Sequence, residues 1–315
     1  MRSFHIPATD PNEHPESLAL ALLTVLQAHA SHATYDDLAV ALGLAFMTCG
    51  DRDEPDVAAF ADLARDVALE PAAELFGVRV RPLHSRTTTE TLTPSPEFAL
   101  HFRDSYVPLI QRAVAHGQPV LAWRGWPTPA DRNWGLVTEA DAAGGLRGVV
   151  PGCPDVVPLD SAALQCYVVE EVAARSPAPA DILACGAAGL ARLDEECADH
   201  GTRVAGAFAW RLWGDRLRSV SDGDDSGLAP HRSLARRVCA NRQTAGRWLA
   251  RWAEVANPSR AADQALIEIV RALVAGLQQV IADLETSGPA AAGEALAACA
   301  EADGACLSAL QRVTR

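Results

Sequence analysis

The chain has 315 residues, 49% of them apolar, enough to bury a sizeable core and form two domains of ordinary size, which excludes disorder of the whole chain. All 27 basic residues are Arg; against 40 Asp plus Glu they leave a net charge of −13, and phosphate binding needs clustered positive charge, so nucleic acid is excluded as a partner. Residues 1–172 hold 11 Arg against 23 acids and residues 173–315 hold 16 against 17, so the acidity belongs to the first part, where it suits solubility and, at most, cationic ligands.

No run approaches the roughly 18 uninterrupted apolar residues of a membrane span. Met1-Arg2-Ser3-Phe4-His5 leads into Pro- and acid-rich sequence rather than an apolar signal core. The expectation is a soluble, unexported, cytoplasmic protein with no membrane partner. The eight Cys (49, 153, 166, 185, 197, 239, 299 and 306) include no CxxC pair, and no His stands at zinc-finger spacing. Neither a metal site nor a disulfide framework is expected, but reduced, mostly buried thiols.

Pro7, Pro11 and Pro15 make the first 15 residues turn-like. Glu16 to His29 then repeats Leu18, Leu22, Val25 and Leu26 at helical spacing, with Leu20 and Leu23 widening the stripe until it is apolar nearly all round; this predicts a buried first helix. Tyr35 to Leu42 predicts a second, capped by Thr34 with Asp36 and Asp37 in its first turn, and Asp56 to Leu69 a third. The period then changes. Gly77 to Arg81 alternates, Tyr106 to Ala115 returns to helix, and residues 119–123, 134–138, 146–150 and 166–170 are short strand-like runs separated by Gly, Pro and Asp. Residues 173–180, with Pro177 and Pro179, are the expected linker. Beyond them lie five helical segments, 181–199, 205–219, 233–256, 261–285 and 290–314. The pattern predicts an α+β domain over 1–172 and an all-α helical bundle over 181–315.

The order of motifs in 12–172 resembles papain-like domains of bacteria, specifically the bacteriocin leader-peptidase group and the N-terminal domain of butirosin biosynthesis protein H. Ser17 to Ala30 is similar to the family's nucleophile helix. Tyr35-Asp36-Asp37-Leu38 with Gly43-Leu44-Ala45-Phe46 resembles its second helix and turn, Gly117-Gln118-Pro119-Val120-Leu121-Ala122 the entry to its central strand, and Asn133-Trp134-Gly135-Leu136-Val137 its "His-Trp-Gly-Val-Val" strand. In the second part, Gly206 to Leu217 and Arg242 to Ala253 resemble helices that follow such domains. The resemblance implies a cysteine-peptidase-type fold with a thiol at the start of the first helix, where the helix dipole activates it, and a His on a neighbouring strand.

At those positions this chain carries Ser17 and Asn133, and the expected orienting residue falls on apolar Val150-Pro151. A dipole effect of about 0.3–1 kcal/mol cannot ionise a serine hydroxyl, and an amide cannot accept the proton. No catalytic residue is therefore assigned with Ser17 and Asn133 in the family's places.

Each candidate has a plainer reading. Ser17 lines a ligand cleft or decorates a helix start, and Asn133 orients a polar ligand or closes a turn. Trp123, Trp126 and Trp134 stack on a ligand or pack in the core. Cys49, in a loop near the expected cleft, is a displaced nucleophile or a bystander, and His14, His84, His101 and His116 are not selected by spacing. Trp210 with Trp213 and Trp248 with Trp252 read as helical core seams. The Arg run 232, 236, 237, 242, 247 and 251 reads as a solvated face or a docking surface.

No GxGxxG after a strand, GxxxxGK[ST] or HExxH is present, so no cofactor is expected. The reading is a catalytically degenerate papain-like protein that binds a small molecule or peptide through Ser17, Trp123, Trp126, Asn133 and Trp134. Its alternatives are an acyl-transferring or amide-forming enzyme of natural-product metabolism using Ser17 or Cys49, and an interaction module, homo-oligomeric or with a protein partner, acting through the helical domain.

Overall fold

A computed structural model describes residues 4–6, 10, 13–53, 67–83, 95–141, 143–199, 203–221, 223–255 and 261–314. The fold is mixed α+β with a helical C-terminal region. The chain divides into two compact units, and the division is not one cut at 173–180. Residues 1–11, 16–38 and 69–177 form the first; 12–15, 39–68 and 178–315 form the second.

The first unit holds α1 (Ser17–Gln27), the start of α2 (Tyr35–Ala41), α3 (Leu69–Leu75), β2 (Val78–Pro82), α4 (Pro96–His101), α5 (Val107–Ala115) and five strands. These are β3 (Val120–Trp123), β4 (Trp134–Ala140), β5 (Leu146–Val149), β6 (Val157–Pro158) and β7 (Gln165–Val172). The six strands run β2-β7-β3-β4-β5-β6, every pairing antiparallel. Both β3 and the first five residues of β7 are buried throughout, as befits strands covered on both faces.

Helix α1 packs against β4, and ten consecutive residues, Ser17 to Leu26, are buried. At about 1.5–3 kcal/mol per buried Leu or Val, this helix is a main source of the unit's cohesion. Thr34 caps α2 as its sequence implies: its Oγ1 accepts from Asp37 N–H at 3.2 Å, and the Asp37 carboxylate accepts from Thr34 N–H at 2.9 Å. The third predicted helix lies, but for its last residues, outside the described residues; Leu69, its expected end, starts α3. A π-helical turn, Phe102–Tyr106, joins α4 to α5, so the helical stretch begins ten residues before the predicted Tyr106.

The second unit contains α6 (Pro179–Asp199), α7 (Gly206–Arg218), α8 (Asp225–Val255), α9 (Ala261–Thr286) and α10 (Pro289–Val313). It is not all-α. Strand β1 (Cys49–Asp51) pairs antiparallel with β8 (Arg203–Ala205). Three residues on either side are too few to show an alternation in sequence. Helix α8 starts eight residues before the predicted Ser233 and runs through Pro230, which lacks the N–H for one i→i−4 hydrogen bond.

The core of this unit gathers Trp210, Trp213, Leu217, Val238, Leu273, Leu277, Val280 and Leu296. Among the described residues one helix, over Gln264–Thr286, is long and apolar enough to cross a membrane by length and composition. Its buried side chains Leu273, Leu277, Val280 and Leu284 belong to that core.

The reason residues 39–51 join the helices is visible in two places. A Cβ on Gly186 would stand 2.1 Å from Val40 O, so only glycine lets α6 come this close. Arg242 of α8, fully buried, donates to Ala45 O at 2.9 Å, Thr48 Oγ1 at 2.7 Å and Asp303 Oδ1 of α10 at 2.7 Å, while Asp303 Oδ2 accepts from Trp210 Nε1–H at 2.8 Å.

Candidate functional site

Ser17 is the first residue of α1, and Glu16 before it is extended; the Glu16 N–H donates to the Tyr35 hydroxyl at 3.0 Å. The Ser17 side chain is buried. Its Oγ accepts a hydrogen bond from Trp134 N–H at 2.9 Å, across 117 residues of sequence. The start of α1 is thus tied to the first residue of β4.

Asn133, half-buried just before β4, donates from Nδ2 to Pro151 O at 3.1 Å, and its own carbonyl accepts from Arg124 N–H at 3.1 Å. The three positions singled out in the sequence, Ser17, Asn133-Trp134 and Val150-Pro151, therefore meet through hydrogen bonds within the first unit.

The tryptophans divide. Trp123 and Trp134 are register partners across β3 and β4, and their rings stack at 6.4 Å between centroids, with Tyr167 at 6.1 Å from Trp134. Trp126 lies elsewhere. Its Nε1–H donates to Ala122 O at 3.3 Å, and its ring covers Gly135, where a Cβ would meet Trp126 Cζ2 at 2.5 Å. Successive strand residues point to opposite faces, so Trp126 sits on the face opposite the Trp134 side chain and does not share a cleft with it. All three rings are at least nine-tenths buried, which matches packing more than an open stacking platform.

Arg124 was not anticipated. It holds φ of +66°, a left-handed conformation uncommon outside glycine, and its guanidinium lies 4.9 Å from the Trp123 ring centroid. Nothing in a single sequence marks an arginine for positive φ; the only hint was the following Gly125.

Cys49 is not in a loop. It is the first residue of β1 in the second unit, paired with Ala205 and buried. Among the histidines, His101 packs edge-on to Tyr106, His116 Nδ1 lies 2.7 Å from Arg112 O, and His84 is outside the described residues. Among the described residues, Ser17 Oγ bonds to a backbone amide and to no ring nitrogen.

The eight cysteines are thiols. Burial pushes the Cys299 and Cys306 thiols up to about 12 and raises Cys166 as well, so these groups stay protonated and unreactive. No group of three or more His, Cys, Asp or Glu among the described residues is placed to hold a metal ion.

The Arg run of α8 does not form one surface. Arg242 is buried in the Asp303 pair, while Arg236 pairs with Glu285, Arg232 with Asp225, and Arg247 donates to Thr244. Ser17 lines neither of two cavities found among the described residues. One of about 390 Å³ is lined by Glu70, Glu74, Arg79, Glu171 and Arg175 in the first unit; the other, about 430 Å³, lies between α8 and α9 beside Gln243, Arg247, Val270 and Val274.

The chain matches no model of a known protein family and no curated protein.

Proposed function

We propose that this is a papain-like protein of the bacterial leader-peptidase type, similar to the N-terminal domain of butirosin biosynthesis protein H, whose first unit binds a small molecule or peptide segment without cleaving it. The observation that carries the reading is the 2.9 Å hydrogen bond from Trp134 N–H to Ser17 Oγ. It supports the family resemblance, because the helix start and the strand start that the resemblance pairs are in contact.

It also supports inertness. A serine nucleophile needs a base within roughly 2.6–3.2 Å, and the group at that distance is an amide N–H, which has a proton to give and none to take. Asn133, in the place of the base, spends its amide on Pro151 O. The proposed setting is cytoplasmic, in natural-product metabolism.

Intact-mass measurement of the full chain incubated with activated acyl thioesters and short peptide thioesters tests this. The proposal expects an unchanged mass and unchanged substrates, with reversible quenching of tryptophan fluorescence by ligands that bind near Trp123 and weaker quenching in Trp123→Phe. A covalent adduct that disappears in Ser17→Ala would overturn it and favour the acyl-transfer reading.

A further inference from the structure

Four parts of the first unit meet at one end of its six-stranded sheet: the start of α1, the end of β3 and the starts of β4 and β7. The antiparallel pairings bring the strands there, because Trp123 closes β3 while Trp134 opens β4 and Gln165 opens β7. Ser17 Oγ, accepting from Trp134 N–H, ties α1 to the same place. Trp123 is the register partner of both Trp134 and Gln165. Residues directly opposite in neighbouring strands share a face, so the Gln165 carboxamide lies on the face of the Trp123 and Trp134 rings. Tyr167, two residues along β7, belongs to that face as well, with its ring 6.1 Å from that of Trp134.

Gln165 is only 7% exposed, and among the described residues its Oε1 has no hydrogen-bond partner. A buried carbonyl left without a donor is costly, and folded chains keep few of them. Donors close in sequence to its strand neighbours are committed elsewhere. Asn133 Nδ2 donates to Pro151 O, Trp126 Nε1–H to Ala122 O, and the Arg124 guanidinium lies against the Trp123 ring.

We propose that Gln165 is the polar anchor of the ligand site in the first unit and that the group it holds is an uncharged amide, the peptide bond of a short apolar segment. The inference rests on the reading that this unit binds a ligand near Trp123, and adds the anchor and the ligand's chemistry. A carboxamide is matched by another amide: Oε1 accepts the ligand N–H while the NH2 group donates to the ligand carbonyl, two bonds that fix its orientation. The buried rings of Trp123, Trp134 and Tyr167 keep water from that pair, which strengthens both bonds. Other ligand classes fit less well. A carboxylate offers Oε1 no proton and meets a region, residues 1–172, with 11 Arg against 23 acids. An ammonium group satisfies Oε1 but leaves the NH2 group of Gln165 without an acceptor.

The test titrates the full chain with N-acetylphenylalanine N-methylamide, with the corresponding methyl ester, which keeps the shape and loses that N–H, and with phenethylamine. Tryptophan fluorescence and the 15N side-chain amide signal of Gln165, identified as the one missing from Gln165→Met, report binding. The amide is expected to quench the fluorescence and shift the Gln165 signal, and the ester to bind about tenfold more weakly. Gln165→Met should lose a similar factor in affinity for the amide yet melt no lower than the unaltered chain, because an apolar side chain of similar length leaves no buried carbonyl unsatisfied. Equal affinity for the ester, or unchanged affinity in Gln165→Met while Trp123→Phe still weakens quenching, would overturn the anchor and leave the binding reading standing. Tighter binding of phenethylamine than of the amide would overturn the ligand class. A covalent adduct at Ser17 would overturn only the inert reading, and the loss of affinity in Gln165→Met would support the anchor in that case too.

Discussion

Replacing Arg242 by Met should be the most damaging single change to the second unit that leaves volume nearly constant. The Arg242 side chain is 0% exposed and that of Asp303 2%, so the pair is shielded from solvent. Without the guanidinium, the Asp303 carboxylate keeps Trp210 Nε1–H as its partner, while Ala45 O and Thr48 Oγ1 lose their donor. Breaking a buried pair by removing one member costs about 3–5 kcal/mol, because the remaining charge is stranded in a medium that solvates it poorly. That is a large share of the ~5–15 kcal/mol that holds a domain together.

The assay is urea unfolding followed by tryptophan fluorescence, since Trp210, Trp213, Trp248 and Trp252 all lie in this unit. Arg242→Met should lower its stability by about 3–5 kcal/mol. The double variant Arg242→Met/Asp303→Leu should cost less than the two single changes added together, with a coupling of about 2 kcal/mol or more, because no charge is then stranded. A cost under about 1 kcal/mol for Arg242→Met, or simple additivity in the double variant, would refute the claim that this pair clamps residues 45–48 to α8 and α10.

Three further outcomes follow from the geometry. Ser17→Ala should destabilise the first unit by about 1–3 kcal/mol in a thermal or urea melt, since the buried Trp134 N–H loses its acceptor. Gly186→Ala should cost about 1–3 kcal/mol by forcing α6 away from Val40 O, whereas Gly304→Ala, whose added methyl meets nothing within 4 Å, should be neutral or mildly stabilising in the same melt. Cys299 and Cys306 ionise near 9.0 when unfolded and are pushed up to about 12 by burial in the fold. Their contribution is therefore fully present below about pH 9 and is lost as pH rises from there towards 12; unfolding titrations across that window should show it, and Cys299→Ala/Cys306→Ala should flatten the decline.

The strands at 120–123, 134–140, 146–149 and 165–172 and the helices from 179 onward were readable because each carries a long apolar period or is set off by Gly and Pro. The meeting of Ser17 with residues 133–134 was readable only through motif order, as no periodicity links positions 117 apart. What escaped the sequence did so for physical reasons. Residues 39–51 join the second unit through one arginine and one close-packed glycine, features that leave no pattern. The β1–β8 pair is too short to alternate. Proximity in sequence groups Trp126 with Trp123 and Trp134, but its ring lies over Gly135, on the face of the sheet opposite the Trp134 side chain. Gly50-Asp51 after Cys49 suggests a turn, while the strand it pairs with lies more than 150 residues away.

The central proposal is that Ser17 and Asn133 stand where a papain-like nucleophile and base would stand, and are inert because of their chemistry. Its most direct test compares Ser17→Cys with Ser17→Cys/Asn133→His by the pH dependence of alkylation at residue 17, followed by intact mass. The account predicts that the added imidazole shifts labelling to distinctly lower pH and speeds it by about tenfold or more near neutrality, as a thiolate–imidazolium pair requires. Identical pH profiles for the two variants, or acyl labelling of Ser17 in the unaltered chain, would contradict it.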